Sequence, residues 1–222
     1  MAKALKYHSA HNFVRYAALL SLIAPIYFMG ISTYASIITP DYSVISQAYS
    51  VLARHHMPNA ILMTTGFLGY ALMIQTLGPL LFINAHTKSL GILIWALVFI
   101  YGLSGIFASV YKDAGIQETI WNLSEGSMHD LASRIGFFAI LIAIILSVIG
   151  LNKNISSNTW KIFSTIIVIL TIFFAISFGL DGARLFPNHV GLMQRGFFIT
   201  IMLWIFVTTA ICILNNVNEN KK

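Results

Sequence analysis

Six apolar stretches of roughly 20 residues, each long enough to cross a hydrocarbon core about 30 Å thick, leave this chain few folds to choose from. They are expected near Tyr16–Ile38, Ala60–Ile83, Leu90–Val110, Ile135–Leu151, Ile162–Leu180 and Gly196–Leu214. Lipid offers no partner for a backbone amide, so each run has to close its hydrogen bonds internally as a helix. The expected fold is an all-α integral membrane protein: one domain over 1–222, six transmembrane helices arranged as three hairpins, and a short outer interfacial helix. Only 9% of the residues are charged, against about 25% in an ordinary soluble domain. Lys3, Lys6 and Arg15 precede the first run as they would in a signal peptide. Its apolar part exceeds an h-region of about 7 to 15 residues, so it reads as a retained helix, bent at Pro25.

Basic residues orient the bundle. With both termini cytoplasmic, the inner face carries Lys3, Lys6, Arg15, Lys88, Lys153, Lys161, Lys221 and Lys222 against Glu219 alone. The outer face carries Arg54, Lys112, Arg134, Arg184 and Arg195 against Asp41, Asp113, Glu118, Glu125, Asp130 and Asp181. This satisfies the positive-inside rule and predicts a multi-pass protein of the cytoplasmic (inner) membrane. The net charge of +6 is thereby a matter of topology, and nucleic acid is not an expected partner.

Several functions are disfavoured by what the runs lack. No Asp, Glu, Lys, Arg or His falls in the middle of a run, whereas proton relays, ion pumps and voltage sensors place ionisable groups there. Gln75 and Thr76 beside Gly78-Pro79 read as a helix end. Walker loop, dinucleotide fingerprint, nucleophile elbow and HExxH are absent, so no cofactor is assigned. The one cysteine, Cys212, cannot form an intramolecular disulfide.

The second half contains a weak repeat. Tyr101-Gly102-Leu103-Ser104-Gly105 is followed by His129 and then Arg134-Ile135-Gly136-Phe137-Phe138. Phe178-Gly179-Leu180-Asp181-Gly182 is followed by His189 and then Arg195-Gly196-Phe197-Phe198. Each copy reads as the end of one apolar helix, a polar loop with a histidine, and an arginine opening the next helix. A two-helix unit repeats in the same direction across a membrane, so the histidines and arginines gather on the outer face. Arg54-His55-His56 matches by residue type before the second helix. Asp130 and Arg134, spaced i, i+4, can pair on one helix face. In the first outer loop Val44, Ile45, Ala48, Val51 and Leu52 form an apolar stripe at helical period. The stripe reads as the interfacial helix, and it turns Ser43, Ser46, Ser50 and Arg54 to its polar side.

Converging, these groups suggest an outer site of Ser43, Ser46, Arg54, His129, Asp130, Arg134, Asp181, His189 and Arg195. Arginine forks bind phosphate bidentately, which favours a lipid or other amphiphile with an anionic head held by Arg134, Arg195 and Arg54. Alternatively His55, His56, His129 and His189 with a carboxylate form a zinc set for hydrolysis. A structural or assembly subunit without a small-molecule site is the third reading. Membrane lipid is the expected partner, and protein partners or a homo-oligomer stay open.

Three stretches carry a resemblance: Tyr42-Ser43-Val44-Ile45-Ser46 with Pro58-Asn59-Ala60, Gly105-Ile106-Phe107 with His129-Asp130, and Gly191-Leu192-Met193-Gln194-Arg195. Together they resemble the six-helix prokaryotic membrane family catalogued as domain of unknown function 998, over nearly the whole chain. The resemblance implies a fold and a membrane address, and brings no reaction with it. It also implies a proline and an aspartate after the Gly-x-Phe, where Ala108-Ser109 stand here and Asp113 is the nearest acid.

Overall fold

A computed structural model describes residues 2–113, 119–120, 123–152, 155–179 and 185–219. Its helices are α1 (Ala2–Ile38), α2 (Tyr49–Leu52), α3 (Ala60–Ile74), α4 (Leu77–Ile83), α5 (Lys88–Val110), α6 (Glu125–Gly150), α7 (Asn158–Gly179) and α8 (Val190–Glu219). Among the described residues six segments are long and apolar enough to cross a membrane, the second being α3 and α4 together. The protein is therefore a polytopic, all-helical membrane protein. The only strands among the described residues are Thr119–Ile120 and Leu123–Ser124, a two-residue antiparallel pairing before α6.

Local chemistry sets the helix starts. Thr87 Oγ1 accepts the Leu90 N–H at 3.3 Å, Ser124 Oγ the Ser127 N–H at 3.1 Å, and Ser157 Oγ the Trp160 N–H at 3.2 Å. Each hydroxyl satisfies an amide that a helix N-terminus leaves unpaired. The break between α3 and α4 falls at Gln75 and Thr76, inside the second span. Pro79 cannot donate to the Gln75 carbonyl, which is the physical reason for the break. Thr76 Oγ1 steadies it through contacts of 2.8 Å to Ser21 Oγ and 2.7 Å to the Met73 carbonyl.

Consecutive spans pack side by side, and α8 returns to α1, so the six spans close a ring in sequence order. An aromatic cluster fills the ring's centre. Phe28 lies 5.3–5.4 Å between centroids from Tyr49, Phe67, Tyr70 and Phe198. Such offset and edge contacts add to the burial of large apolar area.

Because the number of crossings is even, both chain ends lie at one end of the bundle, here the terminal end. There the two short connections hydrogen-bond each other. His86 N–H donates to Gly150 O at 2.8 Å and Asn152 N–H to Asn84 O at 2.9 Å, and Ala85 pairs with Leu151 as a β-bridge. Two buried indoles stitch α7 to α8: Trp160 Nε1–H to Thr208 Oγ1 and Trp204 Nε1–H to Ser164 Oγ, each at 3.1 Å. The opposite end carries the longer connections. We refer to it as the mouth.

Candidate functional site

Arg195 organises the mouth. It is 7% exposed, and no carboxylate among the described residues pairs with it. Its Nη1 donates to Val44 O at 2.7 Å, Gln47 O at 2.9 Å and Gly191 O at 3.0 Å, and its Nη2 donates to Tyr42 Oη at 2.7 Å. The guanidinium carbon stands 4.3 Å from the Tyr49 ring centroid and 5.6 Å from that of Tyr42, where the ring faces attract a cation. Carbonyl dipoles and two aromatic faces thus replace a counter-ion. Gly191 makes the approach feasible, since a Cβ there would overlap the carbonyl oxygens of Gln47 and Val44. The Leu192 N–H then donates to Ile45 O at 2.9 Å.

This clasp explains why the apolar stripe of the first loop yields less helix than expected. The carbonyls of Val44 and Gln47 are taken by Arg195, so regular helix is confined to Tyr49–Leu52. Ala48 and Leu52 are buried, but Val44 and Ile45 face outward. Burial of Tyr42 and Tyr49 raises both phenols above their ordinary 10.0, against the lowering effect of Arg195.

A cavity of about 430 Å³ opens beneath the clasp, lined on its polar side by Ser46, Ser50, Arg54, Asp113, His129, Asp130, Ser133 and Gln194. It continues into a cleft of about 50 Å³ between α3, α5, α6 and α8, where Phe67, Tyr70, Ala71, Tyr101, Ser104 and Phe198 form the walls. Ser50, His129, Ser133, Phe137 and Gln194 line both spaces, so the two adjoin across these residues.

Two buried side chains are fixed from behind and present a free atom to the cavity. His129 Nδ1 lies 2.9 Å from both Ala108 O and Tyr111 O. Carbonyl oxygens only accept, so Nδ1 carries the proton, and in the uncharged tautomer with that proton Nε2 is an acceptor. These bonds also cap the end of α5. Gln194 Oε1 accepts the Tyr49 N–H at 2.6 Å, which fixes the amide and leaves its Nε2 protons unused among the described residues. His129 is 9% and Gln194 5% exposed.

The other expected site residues fall into distinct places. Arg54 lines the cavity, with Nη2 3.0 Å from Asp113 Oδ2, which also accepts from Ser50 Oγ at 3.0 Å. Asp113, the acid nearest the Gly-x-Phe, so ties the first loop to the end of α5. Ser46 and Asp130 line the cavity. Ser43 Oγ accepts the Ser46 N–H at 3.3 Å within the loop. Arg134 and His189 are exposed and line neither space. Asp181 and Arg184 lie outside the described residues, as does Glu118.

The expected Asp130–Arg134 pair does not form. Among the described residues the ion pairs are Arg54–Asp113 and His55 with Glu125 at 3.1 Å. An exposed i, i+4 pair contributes only about 0.3–0.5 kcal/mol, too little to fix two long side chains. His55 is held by Glu125 and His56 is exposed. No three His, Cys, Asp or Glu side chains among the described residues stand close enough to share a metal. Beside the His55–Glu125 pair, burial lowers Lys112 below the usual lysine range, with Glu125 opposing, while its Nζ donates to Thr64 Oγ1 and Ser109 O at 2.6 Å.

Sequence reasoning named His129 but missed Gln194, Ser133, Ser104 and the tyrosine pair Tyr70–Tyr101, whose hydroxyls lie 3.0 Å apart. The available signal was position: Gln194 adjoins the arginine that opens α8, and Tyr101 and Ser104 stand in the repeat itself. The stretches that carried the resemblance meet in space, Tyr42–Ser46 against Gly191–Arg195 and the turn after Gly105–Phe107 against His129. The family described as Protein of unknown function (DUF998) matches residues 22–211, most of the chain, and the chain belongs to it. No curated protein and no solved structure matches the chain.

Proposed function

We propose that this member of the family binds an amphiphile at the mouth, with the polar head in the wide outer space and the adjoining segment in the cleft. The carrying observation is the pair His129 and Gln194, each bonded to backbone on one side and presenting an unused acceptor or donor to a shared cavity. A volume of about 430 Å³ lies within the roughly 300–1,000 Å³ range of small-molecule sites. The polar lining is of mixed sign, with Arg54 beside Asp113 and Asp130. A head carrying both charges, phosphate toward Arg54 and amine toward Asp130, is matched better than a purely anionic one. Arg195 commits Nη1 and one Nη2 proton to the first loop and to Gly191, so its role in this reading is to hold the cavity roof.

The backbone bridge and the Trp stitching at the terminal end support a dead-end site entered from the mouth rather than a path through the bundle. The charge distribution supports a mouth facing away from the cytoplasm in a cytoplasmic membrane. A Ser46→Cys variant is therefore expected to react with a membrane-impermeant maleimide added to intact cells, and labelling only after lysis would reverse the orientation.

The binding reading is tested by native mass spectrometry of protein released gently from its own membrane. Wild type and an Ile61→Trp control, altered on an exposed face of α3, are expected to retain an adduct of lipid mass. Ser133→Trp, which fills the cavity, is expected to lose it. Equal retention in all three, or bare wild type, overturns the proposal.

A further inference from the structure

The cleft below the head site differs in polarity from the space above it. Tyr70 and Tyr101 share one hydrogen bond of 3.0 Å, and neither has another partner among the described residues. Two hydroxyls joined by one bond leave one proton without an acceptor. Ser104, 7% exposed, also has no hydrogen-bond partner among the described residues, and its oxygen is not sealed off from the cleft. Gln194 adds its free Nε2 protons at the upper rim. The cleft therefore offers donors at three points, set in walls that are otherwise aromatic and aliphatic.

Donors left idle in an apolar space cost free energy, and the cheapest relief is a ligand segment that only accepts. The space is about 50 Å³, room for a few water-sized groups on the measure by which one water needs roughly 10–15 Å³. Depth points the same way. A Cβ on Gly136 would press on the Ser104 side chain, which places Ser104 two turns of α6, about 10 Å, below His129. That is the span of a polar head followed by its linkage to a hydrocarbon chain.

Resting on the amphiphile reading above, we infer that the ligand is an acyl ester, a lipid whose ester carbonyls accept from Ser104, the Tyr70–Tyr101 pair and Gln194 Nε2. Carbonyl-free dialkyl ethers of the same head fit the shape but leave these donors unpaired.

The test offers purified protein an equimolar mixture of diacyl phosphatidylethanolamine and its dialkyl-ether analogue of equal chain length, with retained lipid read by native mass spectrometry. Wild type is expected to keep the ester form about tenfold over the ether, the size expected for one or two hydrogen bonds. A Ser104→Ala, Tyr101→Phe double variant with unchanged thermal unfolding is expected to keep both about equally. Equal retention by wild type overturns this inference and leaves the amphiphile site standing. An ester preference that survives the double variant also overturns it, by removing the assigned donors. Retention of neither lipid overturns the binding reading itself.

Discussion

His129 is buried and Arg134 exposed in the first copy of the repeat, whereas His189 is exposed and Arg195 buried in the second. On α6 the cause is helical geometry, because a five-residue offset turns two side chains about 140° apart. With His129 facing the cavity, Arg134 must face away. In the second copy His189 precedes α8, and the arginine, one turn inside the helix, takes the interior position. One repeated pattern thus supplies two different parts, a hydrogen-bonding ring from one copy and a roof support from the other. Similar spacing in sequence does not carry a role from copy to copy. The side of the helix that each position faces decides it.

The largest expected difference between the copies is in stability. Arg195→Met strips the donor from three carbonyls and a phenol and is expected to cost about 3 kcal/mol, as loss of two charge-assisted bonds would. Arg134→Met is expected to stay within about 0.5 kcal/mol, as exposed changes do. Thermal unfolding in one detergent compares them, and equal losses would break the comparison. Arg195→Lys is not expected to rescue, since an ammonium cannot reach four acceptors spread around a planar fork. Next in size is Gly191→Val, expected to cost about 1–3 kcal/mol through overlap with the first loop. The same loop should then become the first site of proteolytic cutting.

A smaller stability effect with a larger functional one is expected at the histidines. His129→Phe uncaps two carbonyls at the end of α5, costing about 1–2 kcal/mol, and removes the acceptor from the cavity, so retained amphiphile should fall at least severalfold. His189→Phe should change neither quantity. Retention unchanged by His129→Phe would remove the histidine from the site.

The smallest effect is the response of the clasp to alkali. Tyr42 and Tyr49 have phenols raised by burial above 10.0, so the folded state disfavours their ionisation more than the unfolded chain does. Their contribution is fully present below the unfolded value of about 10 and is lost as pH rises through the higher folded values. Unfolding temperature should hold up to about pH 10 on this account and then fall, and Tyr42→Phe should blunt that fall. An equal fall in the variant would assign it elsewhere.

The membrane class was legible because hydrocarbon thickness and backbone satisfaction leave a long apolar run one solution. Helix starts were less so. Hydropathy put the fourth and sixth spans at Ile135 and Gly196, yet α6 begins at Glu125 and α8 at Val190, because Ser124 caps a polar first turn and the Arg195 clasp draws another into the fold. The role of Arg195 was hidden for a related reason. An arginine at headgroup depth reads as an anchor, and its partners are main-chain oxygens of Val44 and Gln47 far away in sequence, which no side-chain pattern encodes. The same holds for the bridge between Asn84–His86 and Gly150–Asn152, made of backbone alone.

The most direct measurement is photo-crosslinking with a diacyl phosphatidylethanolamine that carries a diazirine near its ester, followed by peptide mapping of the modified residues. Labels concentrated on Phe67, Ala108 and Phe137 around the cavity, and lost in Ser133→Trp, are expected if the mouth holds an amphiphile. Labels spread over outward residues such as Ile61, Phe99 and Phe138, with the cavity residues unmodified, would contradict it.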